Sequence, residues 1–172
     1  QWDGSYNKCV GLVFRPPPIY KSPFLLDLDF QTKTEVVLDP KMCATFARMV
    51  AQKLQAELNQ YVTYLVVMKT KGYWAKIKGE DVFKTGCHIY FPASRVSLAS
   101  AGRYRTYCVE RIREVFGEID YINSEDDVCD KRIPLRTNGL MMIGDYKPDR
   151  KNTFKGGRYR VVVAGSLQGD KI

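Results

Sequence analysis

Apolar and polar residues alternate over Leu26-Asp27-Leu28-Asp29-Phe30, the end of the run Phe24-Leu25-Leu26-Asp27-Leu28-Asp29-Phe30. That period predicts a strand with Phe24, Leu26, Leu28 and Phe30 on one face and Leu25, Asp27 and Asp29 on the other. Asp39 followed by Pro40 predicts a helix start, with an N-cap and then a proline whose missing N–H costs nothing there. Met42, Phe46, Met49, Val50 and Leu54 continue at helical spacing to about Asn59. Residues 61–68 are β-branched and aromatic and predict a buried strand. Residues 72–77 and 87–91 predict two more, the second ended by Pro92. A second helix is predicted over 100–116, with Tyr104, Cys108, Ile112 and Val115 as its apolar face. Residues 123–130 are polar and acidic with a turn-like start, and 140–143 and 159–164 predict late strands. Strands thus cluster between two helices, which predicts an α+β fold with helices packed on one face of a mainly antiparallel sheet. Ahead of Phe24, the run Pro16-Pro17-Pro18 and then Pro23 make residues 1–22 an expected extended arm or irregular lobe.

The 172 residues suit one domain. The longest apolar runs, such as 64–68 and 161–164, are strand-sized and too short to cross a bilayer. The chain opens on Gln1 without a secretory signal pattern and ends on a polar tail, so a segment of a longer protein is expected. Five cysteines stand at 9, 43, 87, 108 and 129, with no CxxC pair and an odd count. That disfavours a zinc site or a disulfide framework and fits small core residues in a reducing compartment. The net charge of +8 is uneven. Between residues 131 and 160 nine basic side chains face only Asp145 and Asp149. Such a field favours a polyanion, with nucleic acid or nucleotide phosphates foremost, although a basic surface that only aids solubility has the same composition.

Three segments can carry chemistry. Asp27 and Asp29 share one strand face and repel each other unless a cation or basic group lies between them. A hard divalent ion such as Mg²⁺ or Mn²⁺ suits them; two solvated aspartates on a half-buried strand are the plain alternative. The second segment is Lys84-Thr85-Gly86-Cys87-His88-Ile89-Tyr90-Phe91-Pro92, which holds the chain's single histidine. On a strand His88 shares a face with Tyr90 and opposes Cys87, so no direct Cys–His pair forms. One histidine excludes sites that need two, and a structural role is the plain reading. The third is Val128-Cys129-Asp130, followed by Arg136 and by Gly139 to Pro148; alone it reads as an acidic loop.

In this order and spacing the three segments resemble the archaeo-eukaryotic primase superfamily. Its Asp-x-Asp strand would be Asp27 and Asp29, its small-x-His strand Gly86-Cys87-His88, and its later aspartate Asp130. The strings from Gly86 and from Gly139 look most like the primase-helicases of large cytoplasmic DNA viruses, the poxvirus and asfarvirus group. The resemblance covers about residues 24–150. It implies an RRM-like antiparallel sheet with packed helices and an additional N-terminal α/β part. It further implies Asp27, Asp29 and Asp130 as ligands of two Mg²⁺ or Mn²⁺ ions. His88, Lys147 and, more weakly, Lys84 and Arg136 would contact the nucleotide's phosphates. The implied partners are a single-stranded DNA template, nucleoside triphosphates and a helicase later in the same chain, with no membrane, at a viral replication site in the host cytoplasm. The basic stretch would track the template, and Tyr146 or Tyr159 could stack on bases, core packing being the plainer role. Two departures stand out. Gly86 replaces a frequent serine, and Met141 and Asp145 replace an expected arginine and serine.

Other readings use the same residues. A catalytically silent nucleic-acid-binding domain shares the charge but has no need of converging aspartates. A nuclease or a glycosyltransferase with an Asp-x-Asp site would differ in its products. A primase-polymerase that mainly extends chains would use the same site.

Overall fold

The computed structural model describes residues 13–14, 21–137, 139–141, 143–144, 146–148 and 154–167. Most of the expected arm, and with it Cys9, therefore lies outside the described residues. In chain order the elements are β1 (Val13–Phe14), β2 (Ser22–Thr32), α1 (Pro40–Leu58), β3 (Val62–Lys69), β4 (Tyr73–Ile77) and β5 (Glu80–Val96). Then follow α2 (Leu98–Phe116), α3 (Glu125–Val128), β6 (Leu140–Met141), β7 (Tyr146–Pro148) and β8 (Phe154–Leu167).

The main sheet runs β2-β5-β3-β8-β7, with β4 also paired to β5. Every strand pairing described is antiparallel, including a separate β1-β6 pair. The α+β expectation is met. The apolar set of β2 lies on the face covered by the helices: Phe24 stacks on Phe91 and tilts against Tyr104 of α2. Phe30 and Phe46 meet at Phe116 of the same helix. Burial of these rings is the main driving force that fixes the sheet to the helices. Cys43, Cys87, Cys108 and Cys129 are buried, unoxidised members of this core, as expected.

The helix starts follow from their caps. Asp39 accepts the Lys41 N–H at 2.8 Å, and Pro40 opens α1. Ser97 Oγ accepts the Ser100 N–H at 3.1 Å and opens α2 at Leu98, two residues earlier than the apolar pattern suggests. Asn59, in the left-handed region at φ 46°, closes α1.

Pro92 does not end its strand; β5 continues to Val96. Phe24 pairs with Phe91 while the preceding Pro23 pairs with Arg95, so residues 92–94 are a bulge. Proline is tolerated there because the position needs no ladder N–H. The short β7 and the one-turn α3 are additions that the apolar pattern did not mark.

Candidate active site

On the face away from α1 and α2, directly paired strand residues bring the candidate groups into line. Asp27 lies opposite His88, and Asp29 opposite Gly86. His88 Nε2 stands 3.5 Å from Asp27 Oδ1. Lys84, on the same face of β5, forms an ion pair with Asp29. Burial acts to lower the Lys84 pKa, but the charge and hydrogen bond of Asp29 outweigh it and raise the value. The lysine is therefore held charged.

Asp130 reaches this group by another route. The segment after α3 runs along the free edge of β2: Leu28 and Cys129 form an antiparallel bridge, and the Asp130 N–H donates to the Asp27 carbonyl at 3.0 Å. Two side chains fix that segment. Asn123 acts as a substitute strand partner, accepting the Gln31 N–H and donating to the Asp29 carbonyl, both at 2.9 Å. Arg105 of α2 donates to the Cys129 carbonyl through Nε at 3.0 Å and Nη2 at 2.8 Å, and to the Asp126 carbonyl at 2.7 Å. Neither residue stood out in the sequence, because each acts through backbone groups far along the chain.

The Asp130 carboxylate faces Arg132. It accepts the Arg132 N–H at 2.9 Å, Nε at 3.0 Å to each oxygen, and Nη2 at 2.7 Å. Burial acts to raise the Asp130 pKa; the Arg132 hydrogen bonds and charge outweigh it and lower the value. Arg132 also lies in the field of Asp27 and Asp29. It was not among the residues singled out in the sequence.

A groove of about 920 Å³ opens over Asp27, Asp29, Lys84 and His88. Lys69, Lys71, Tyr73 and Arg160 add to its lining. The buried Tyr159 forms part of its floor, stacked on His88 with ring centroids 4.5 Å apart. The Lys69 ammonium lies over Tyr73 at 4.5 Å and Tyr159 at 5.4 Å. Tyr159 is thus a packing residue that supports His88, the plainer of its two expected roles. Burial, reinforced by the Asp27 charge, pushes its phenol pKa well up and keeps it neutral.

One expected phosphate contact, Arg136, is not brought here. Arg136 is buried and donates from Nη2 to the Val96 carbonyl at 2.7 Å. Val96 pairs with Ser22, five residues from Asp27 and so about 16 Å along β2. Lys147 lies on β7 opposite Lys155, three strands from β5 or about 14 Å across the sheet. The Lys147 and Tyr146 side chains lie outside the described residues, as do Asp145 and much of the basic stretch.

Gly86 has a local reason. A Cβ at this position would collide with the Leu28 carbonyl oxygen, so the close approach of β5 to β2 leaves no room for the serine that the resemblance favours.

Among the described residues, no three His, Cys, Asp or Glu side chains stand close enough, as placed, to hold a metal ion. The donor types nevertheless suit a divalent metal: Asp27 and Asp29 share one face of β2, Asp130 follows along its edge, and a basic side chain occupies Asp29 and Asp130. Lys84 and Arg132 supply the positive charge that the cluster needs.

The antiparallel sheet with helices on one face, and acidic and basic groups on the other, is that of an archaeo-eukaryotic primase domain, a class with primase and nucleotidyltransferase-type activity. The chain belongs to the family described as the C962R protein N-terminal AEP domain, of the asfarvirus primase-helicase type, whose model matches residues 16–156. No curated protein matches the chain. Among the described residues, no helix is long and apolar enough to cross a membrane.

Proposed function

We propose that this domain synthesises primers on a DNA template by two-metal-ion nucleotidyl transfer from nucleoside triphosphates. The observation that carries the reading is the alignment of Asp27 and Asp29 beside Lys84 and His88 at the floor of one open groove, with the backbone of Asp130 bonded to Asp27 along the strand edge. The three aspartates would hold Mg²⁺ or Mn²⁺. When bound, the ions supply activation of the attacking 3′-hydroxyl and stabilisation of the departing pyrophosphate. The chain's own share is positioning and charge. Lys84, held on Asp29 at the groove floor, would offer its charge to a phosphate oxygen from where it stands. His88, held by Tyr159 behind it, stands with Nε2 3.5 Å from Asp27 Oδ1, and the same nitrogen would serve the incoming phosphates. Lys69, Lys71 and Arg160 give the groove the sign that a template backbone requires. With Arg136 drawn away to the Val96 carbonyl, the phosphate role among the described side chains falls to Lys84 and His88. The viral family type supports a helicase later in the same chain and a site of action in the host cytoplasm as parts of this proposal. A primase-polymerase that mainly extends primers would use these same groups, and relative use of ribo- and deoxynucleotides separates the two.

The test is incubation with single-stranded DNA, labelled nucleoside triphosphates and Mn²⁺ or Mg²⁺, without primer. Short products are expected from the wild type and none from Asp27→Ala/Asp29→Ala. Equal product from a folded double variant would overturn the metal assignment. Product only on a primed template would favour the extension enzyme.

A further inference from the structure

We propose that Arg132 is a nucleotide-phosphate ligand that rests on Asp130 until the divalent ions arrive, so that metal and nucleotide enter together. This builds on the metal reading above and adds a residue and a coupling to it. Asp130 is well shielded, with 15% of its side chain exposed, and its oxygens are taken up by one partner. A metal ion cannot take Asp130 while the guanidinium lies across both oxygens. The Arg132 side chain is 63% exposed, so moving it into solvent costs little desolvation. Lys84 is placed differently: only 17% exposed, it is enclosed between Asp29 and the neighbouring Tyr73. Arg132 is therefore the cation that can leave.

Charge balance gives it a destination. With Lys84 and Arg132 in place the three carboxylates keep a small negative excess. Two divalent ions alone would make the cluster strongly positive, and both basic side chains would oppose them. A triphosphate arriving with the ions restores the balance. It also offers oxygens in the paired geometry that a guanidinium binds better than an ammonium does. Arg132 then exchanges one oxyanion for another without leaving the site. Coupling of this kind is reciprocal: whatever the nucleotide does for metal affinity, the metal does for nucleotide affinity.

The experiment is Mn²⁺ titration followed by electron paramagnetic resonance, with and without a non-hydrolysable nucleoside triphosphate analogue, on wild type, Arg132→Gln, Arg132→Lys and Asp29→Ala. In wild type Mn²⁺ alone should bind weakly and tighten about tenfold or more with the analogue. In Arg132→Gln, Mn²⁺ alone should bind on the order of fivefold tighter, and the gain from the analogue should shrink. Arg132→Lys should fall between them, because lysine keeps the charge but loses the paired contact. Mn²⁺ binding that Asp29→Ala abolishes and Arg132→Gln leaves unchanged, with and without analogue, overturns this proposal alone. Absence of Mn²⁺ binding in the wild type overturns the metal reading and this proposal with it.

Discussion

The two faces of β2 are built from one stretch of chain and do opposite work. Toward the helices, Phe24, Leu26, Leu28 and Phe30 are essentially fully buried. On the other face Leu25 is buried in a small cluster with Ile133 and Leu140, whereas Asp27 and Asp29 stay open to the groove. The second face is thus covered at one end and bare at the other, and the carboxylates begin where the cover stops. Strand parity sets which residues share a face; the later segments decide how much of that face water reaches. The covered face holds its strands by packing. The open face keeps like charges together, which the cations on Asp29 and Asp130 make tolerable.

The sharpest way to break this comparison is to alter neighbouring residues on opposite faces. Asp27→Asn should lower nucleotide addition by about a hundredfold or more while changing stability by no more than about 1 kcal/mol. Leu28→Ala should do the reverse, costing about 2–5 kcal/mol because its cavity opens in the centre of the core. Urea denaturation and a primer-synthesis assay on both proteins read the two effects. An Asp27→Asn protein as unstable as Leu28→Ala would mean that the open face is structural as well.

Much of this was legible in the sequence, for local reasons. Alternation placed Asp27 and Asp29 on one face, and the same parity separated His88 from Cys87. Caps placed the start of α1. What was not legible depends on contacts between distant residues. Residues 121–130 have no period, and only the family likeness pointed to Asp130. Its position comes from Asn123 and Arg105 bonding to backbone groups, and a side chain that acts on a distant carbonyl leaves no local pattern. Arg136 shows the opposite failure. Composition counts its charge as surface, whereas φ 61° and the Val96 carbonyl draw the guanidinium inward, and burial lowers its pKa. Pro92 was read as a stop because a bulge cannot be seen from one strand alone.

A smaller effect separates the two ways in which the carboxylates are held. Asp27 and Asp29 belong to a regular strand, while Asp130 depends on the Arg105 contacts to Cys129 and Asp126. Arg105→Ala should weaken Mn²⁺ binding by about ten- to a hundredfold, the usual cost of losing a group that orients a metal ligand. A control change on the outer surface of the same helix, Arg111→Ala, should leave it unchanged. Mn²⁺ titration decides this, and equal affinity in Arg105→Ala would show that the bridge to Leu28 holds Asp130 by itself.

The smallest expected effect concerns the Asp130 ion pair before any metal binds. Arg132 holds the folded-state pKa of Asp130 below its ordinary value. A group depressed in this way adds stability at pH values above its unfolded pKa, about 3.9, and that stability is lost as pH falls through the lower folded value. The contribution should be under about 1 kcal/mol, because the partner guanidinium is largely exposed and screened. In metal-free buffer, Asp130→Asn should therefore melt slightly below the wild type at about pH 6, and the gap should close by about pH 2. Added salt should shrink the gap at pH 6, since an exposed cation is the source of the effect. No gap at any pH in this range would assign the role of Asp130 to its turn hydrogen bond with the Arg132 N–H, which an asparagine oxygen can also accept. The pair would then be a structural turn and not a charge held in reserve at the edge of the open face.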